Sequence, residues 1–128
     1  MTFEQLQEKV LSWADDKDLL HAQNAEKQFM KFVEEVFEFK TEFDTWYWYK
    51  LFKFDESLES YLRNNNISRC KNLKLEMGDV FVTLIILCEQ MGIDPVECLE
   101  MAYEKISKRK GKTINGNFYK QEDLEGME

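Results

Sequence analysis

Breakers are the first thing this chain lacks: a single proline and five glycines serve 128 residues. So few punctuators exclude a fold of many short strands and favour long helices. Cysteine is sparse as well. Cys70, Cys88 and Cys98 are odd in number and show no CxxC spacing, so neither a disulfide framework nor a zinc knuckle follows. Apolar runs are short, and the longest, residues 80–88, cannot span a bilayer. The opening Met1-Thr2-Phe3-Glu4-Gln5 has no apolar stretch of the signal-peptide kind. The expectation is a cytoplasmic protein in a reducing compartment. Cations are in deficit, 17 Lys and Arg against 25 Asp and Glu, for a net charge of −8. Nucleic acid and anionic membrane surfaces are therefore excluded as natural partners. A small anionic ligand would need a local cation or metal to offset the field.

What is present suffices for a core: 44 % of residues are apolar and 14 % aromatic, at a length that fits one domain. Phe3, Leu6, Val10, Leu11 and Trp13 form a loose helical stripe over residues 3–20. A break at residues 21–24 follows, with Asn24 a candidate N-cap. Phe29, Phe32, Val33, Val36, Phe37, Phe39 and Phe43 mark one face of a second helix over residues 25–43. Residues 44–54, too aromatic for a solvent loop, either continue that helix or fold back over the core. Residues 55–63 suit a short helix, and Asn64-Asn65-Asn66 a turn. Residues 72–91 are the most apolar segment and predict a central helix closed by Gly92. Asp94 at N-cap, Pro95 at N1 and Glu97 at N3 then start a last helix running to about residue 110. The fold class is all-α, an antiparallel bundle of four to five helices whose core oligomerisation completes. A domain over residues 1–110, with an aromatic insertion around 44–71, precedes a polar tail at 111–128. That tail carries a tight turn at Asn115-Gly116 and is a candidate for closing over the active site.

Two groups of acids stand out. Glu34, Glu35 and Glu38 share one helix, and Glu76 and Asp79 repeat the i, i+3 spacing at the head of the apolar helix. Residues three or four apart lie on one helical face. Two such pairs on facing helices would converge four carboxylates. In so acidic a chain such pairs also arise by chance, Glu76 and Asp79 suit a helix N-terminus, and Lys31 can pair with Glu35 along a solvated face. Against that stands their setting. Glu35 and Glu38 alternate with Val36, Phe37 and Phe39, and Asp79 opens straight onto the apolar run. Carboxylates leaning toward a core are costly unless paired or metal-bound. Oxygen ligands without histidine suit Mg²⁺, with Mn²⁺ as the other choice. A di-iron carboxylate bundle needs Glu-x-x-His, and the sole histidine, His21, lies in no such motif. There is no GxxxxGK[ST], so no P-loop.

Residues 28–38, QFMKFVEEVFE, followed by residues 75–81, LEMGDVF, resemble the MazG-like nucleoside triphosphate pyrophosphohydrolases, whose signature is EExxE on one helix and ExxD on the next. Gly78 matches the glycine often found before that Asp, residues 87–95 are similar to the family's turn into its last helix, and Trp13 to a tryptophan ahead of the first motif. The resemblance covers roughly residues 10–43 and 72–119. It implies an all-α homodimer or homotetramer that hydrolyses a (deoxy)nucleoside triphosphate to monophosphate and pyrophosphate with Mg²⁺. It implies Glu35, Glu38, Glu76 and Asp79 as metal ligands, with Glu38 also the group that orients or deprotonates water and Glu34 second in that role. Lys105 and Arg109, with Lys108 nearby, are the implied phosphate contacts, and Trp13 and Lys31 join them as substrate-binding candidates. Departures are the 37 residues between Glu38 and Glu76, more than the usual gap, Phe37 where many members have Gly, and Ile106 where many have Asn. The rivals are a regulatory relative that binds nucleotide or metal without turnover, and a purely structural helical interaction protein.

Overall fold

The computed structural model describes residues 1–52 and 69–126, which fall into two compact units, Met1–Gly92 and Ile93–Glu128. Among the described residues it is mainly helical, in keeping with the all-α expectation. The predicted short helix at 55–63 and the Asn64-Asn66 turn lie outside them.

In the first unit, α1 spans Phe3–Asp16 and opens on a capping box. The Thr2 hydroxyl accepts from the Gln5 amide at 3.1 Å, and the Thr2 amide donates to the Gln5 side chain at 2.8 Å. A 3₁₀ turn, Ala22–Asn24, leads straight into α2, Ala25–Phe52. Asn24 thus closes that turn. The aromatic stretch after Phe43 continues the helix, resolving the choice the sequence left open. Its rings meet at i, i+3 and i, i+4 spacing: Phe43 lies 6.4 Å from Phe39 and 5.8 Å from Trp46, both tilted, and stacks on Tyr47 at 5.6 Å between centroids. Lys40 adds its ammonium 5.5 Å from the Phe43 ring.

The third helix, α3, spans Arg69–Met91, starting three residues earlier than its apolar pattern implies. It packs against α2 and, on another side, against α1. Gln28 donates to the Thr83 carbonyl at 3.2 Å, while Glu35 and Glu38 meet Glu76. Numbers rise along α2 as they fall along α3, so the two run antiparallel. Phe3 and Phe81 meet edge to face at 6.4 Å, and the Gln90 amide reaches the Leu19 carbonyl at 2.7 Å. The buried apolar side chains among the described residues are Ala14, Ile85, Ile86, Leu87 and Cys88, a core centred on α3.

In the second unit, α4 spans Pro95–Ser107, and Asp94 caps it by accepting from the Val96 amide at 3.2 Å. The helix stops three residues short of the expected end. Residues 111–120, expected as polar tail, form an antiparallel hairpin: β1, Gly111–Ile114, pairs with β2, Asn117–Lys120. The Asn115-Gly116 turn closes it with both φ angles positive, 51° and 82°, the two-residue turn that matches strand twist. Thr113, Ile114, Phe118 and Tyr119 supply the β-branched and aromatic residues that the overall polarity conceals. A Cβ at Gly111 would sit 2.0 Å from the Tyr119 carbonyl oxygen, so only glycine lets the strands close there. The short α5, Gln121–Glu125, follows directly.

Candidate metal centre

Helical geometry decides which acids turn inward. At about 100° per residue, Gln28, Phe32, Glu35 and Phe39 fall in one stripe, the one α2 presents to α3. Glu35 lies at its centre and is only 8 % exposed. Glu38, one turn on, sits at the stripe's exposed edge, and Glu34 lies further round, in solvent. On α3 the corresponding stripe is Glu76, Val80, Thr83 and Leu87, with Asp79 to one side and exposed. The Thr83 hydroxyl donates back to the carbonyls of Asp79 and Val80, at 3.1 and 2.9 Å, while Gln28 holds its carbonyl. The Gln28 bond ties α2 to α3 in the register that sets Glu35 opposite Glu76.

Glu35, Glu38 and Glu76 each offer a carboxylate oxygen within 4.8 Å of the other two. The sequence pattern anticipates these three. Asp79 lies outside that group, although its charge still acts on Glu76. Glu34 lies outside it as well: its carboxylate accepts from Lys31 at 3.4 Å. Lys31 also reaches Glu35 at 3.2 Å, so the ion pair weighed for it is present, and both carboxylates raise its pKa.

Among the described residues, three carboxylates with one ammonium beside them leave an excess of negative charge, and the titration of the group reflects it. Glu38 is raised above the usual carboxylate range, first by its hydrogen bond to Glu35 and then by that group's charge. Glu76 is raised by desolvation, then by the charges of Asp79, Glu35 and Glu42. Glu42 carries no sequence signal beyond lying one helical turn past Glu38. Most telling, Oε2 of Glu35 and Oε2 of Glu76 are buried without any hydrogen-bond partner. Orphaned carboxylate oxygens are expensive unless something positive or protic meets them. An excess of roughly two negative charges, borne by hard oxygen donors with free lone pairs, fits a divalent cation such as Mg²⁺ or Mn²⁺.

Gly78 sits between Met77 and Asp79 on this helix, yet a Cβ there would meet nothing within 4 Å. Packing therefore does not require glycine. Gly78→Ala should raise stability by about 1 kcal/mol in urea titrations, the helix-interior cost of glycine. Unchanged or lower stability would mean that the backbone needs glycine here.

Trp13 is not among the groups that meet in the carboxylate cluster. It is half exposed and, with Leu6, Val10 and Val82, lines an apolar cavity of about 330 Å³. Lys105, Lys108 and Arg109 belong to the second unit, where they line a cavity of about 340 Å³ together with Lys110 and Lys120. The latter two join them only because the hairpin folds back, which spacing along the chain does not reveal. No helix among the described residues is long and apolar enough to cross a membrane. No protein-family model, curated protein or solved structure matches the chain.

Proposed function

We propose that this chain is a Mg²⁺-dependent nucleoside triphosphate pyrophosphohydrolase, cleaving a (deoxy)nucleoside triphosphate to the monophosphate and pyrophosphate. One observation carries the reading: two buried, unpartnered carboxylate oxygens, on Glu35 and Glu76, face a third carboxylate at the edge of the same cluster. The order of the acids along the chain, with its resemblance to EExxE and ExxD, supplies the reaction class.

In this reading Glu35, Glu38 and Glu76 hold the cation, with Asp79 the adjacent acid that adds negative charge to its field. Bound there, Mg²⁺ or Mn²⁺ would offset the charge of a triphosphate and acidify water. The rest is done by the chain. Lys31 steadies Glu35 through an ion pair and leaves that residue's second oxygen free. Glu38 is exposed enough to meet solvent, which lets its carboxylate take a proton from the attacking water. As the water oxygen bonds to phosphorus, the α–β phosphoanhydride bond breaks and the proton passes to the Glu38 carboxylate.

The direct test is pyrophosphate release from a panel of common nucleoside and deoxynucleoside triphosphates in Mg²⁺, Mn²⁺ or EDTA. Release that EDTA stops supports the reading. Silence across the panel overturns it and leaves a helical binding or interaction protein.

A homodimer or homotetramer belongs to the same proposal. Few apolar side chains among the described residues are buried, while Phe3, Leu6, Trp13, Phe29 and Phe81 stand 44–52 % exposed in the first unit alone. A second copy would cover such surface. Sedimentation equilibrium should give two or four chains, and a monomer at micromolar concentration would refute it.

A further inference from the structure

Residues 105–120 hold six basic side chains and no acidic one, in a chain whose net charge is −8. Within the second unit the fold gathers five of them. Lys105, Lys108 and Arg109 come from the C-terminal end of α4, and Lys110 and Lys120 from the base of the hairpin. The hairpin enforces this meeting. Gly111 pairs with Lys120, and the Gln121 amide donates to the Lys110 carbonyl at 2.7 Å, which ties the two lysines' strands together at their open end.

Compensation is slight. Lys108 pairs with Glu104 at 3.4 Å, and Glu122 is the acid in the cavity wall. Lys105, Arg109, Lys110 and Lys120 have no ion-pair partner among the described residues. Exposed cations that line one concavity with little counter-charge give it a positive potential that favours an anion there. A void of about 340 Å³ lies between them, larger than a single phosphate needs. Several ammonium groups and one guanidinium around a concavity suit an anion with several charged oxygens in a chain.

We propose that this cavity binds an oligophosphate, pyrophosphate or the polyphosphate end of a nucleotide, without any divalent metal. The inference rests on the proposed activity for the identity of the anion, but not for the existence of the pocket. Lys110 and Lys120 are its new elements. They make the hairpin part of an anion site rather than a solvated tail.

The test is calorimetric titration of the full chain at fixed ionic strength in EDTA, with inorganic pyrophosphate, tripolyphosphate, a nucleoside triphosphate and sulfate as separate probes. Pyrophosphate and tripolyphosphate should bind one per chain, with sulfate at least tenfold weaker. Lys110→Gln and Lys120→Gln should each weaken pyrophosphate by about fivefold or more, and Glu76→Gln should leave it unchanged. A nucleoside triphosphate binding as tightly as tripolyphosphate would identify the nucleotide's phosphate end as a ligand of the pocket. A nucleotide much weaker than free pyrophosphate would assign it to the inorganic anion. Absence of binding in EDTA, indifference to both lysine changes, or equal affinity for sulfate would each overturn the proposal. Binding that needs Mg²⁺ and is lost in Glu76→Gln would overturn it while leaving the metal reading intact. Binding in EDTA by a protein that hydrolyses nothing in Mg²⁺ would sustain the pocket and sink the activity.

Discussion

Glu38→Gln should lower metal-dependent pyrophosphate release by about 10²–10⁴-fold, the range a positioned proton acceptor contributes. The exchange keeps the shape and hydrogen-bonding length of the side chain and removes its capacity to take a proton. Glu38 sits at the exposed edge of the α2 stripe, so it reaches solvent and a bound ligand while staying within 4.8 Å of Glu35 and Glu76. No other acid among the described residues combines both features. Glu35 is buried and paired with Lys31, and Glu34 points away from the cluster into its own contact with the same lysine. Glu34→Gln should therefore cost far less than Glu38→Gln, although both belong to the EExxE pattern. The measurement is kcat for each variant across the triphosphate panel, with far-ultraviolet circular dichroism confirming unchanged helix content. A Glu38→Gln enzyme within threefold of the parent would remove Glu38 from the chemistry. Equal losses for Glu34 and Glu38 would mean that placement in the cluster does not rank the two acids.

Three of the four carboxylates expected to converge do so because the signal is periodic. Glu35 and Glu76 fall on apolar stripes, where a charged residue contradicts its neighbours, and that contradiction is visible before any fold is known. Asp79 shows the limit of the same logic. An i, i+3 step turns a helix through about 300°, so one member of each pair sits centrally and the other to one side. Which side faces the partner helix is decided by the register, here set by Gln28 and Thr83, and side-chain-to-carbonyl bonds leave little trace in a pattern of apolar residues. The continuation of α2 through Trp46 and Tyr47 was undecidable for a related reason, since aromatic residues serve helix and strand alike until their stacking partners are fixed. In the hairpin the turn is legible and its flanks are not: Asn115-Gly116 is plain in the sequence, but strands of only four residues, each with one lysine, are not. Lys110 and Lys120 meet only through that pairing.

Adding Mg²⁺ should raise the melting temperature at pH 7.5, and should do so more than at pH 5. Glu38 and Glu76 both hold their protons more tightly in the fold than an ordinary carboxylate does. Between the usual carboxylate pKa and their raised values, the folded protein binds protons the unfolded chain has already lost. Stability from these two groups is thus fully present below the unfolded value and falls away as pH rises through the folded ones. Above that window both are ionised, and among the described residues the cluster's repulsion is compensated only by Lys31. The metal-free protein should accordingly melt at a lower temperature at pH 7.5 than at pH 5 on account of this site. A cation at 100 times its dissociation constant stabilises by about 2.7 kcal/mol, roughly ten degrees for a chain of this size. Protons compete for the same oxygens, which is why the gain should shrink in acid. Glu76→Gln provides the internal check. It removes a desolvated charge beside Asp79, Glu35 and Glu42, so the metal-free variant should melt above the parent at pH 7.5, with a flatter pH profile and a smaller response to Mg²⁺. Differential scanning calorimetry at the two pH values, with Mg²⁺ or EDTA, reads all of these effects at once. A melting temperature indifferent to Mg²⁺ at millimolar concentration, together with a Glu76→Gln variant no more stable than the parent, would show that the two buried oxygens are met by water and that the carboxylates hold no metal.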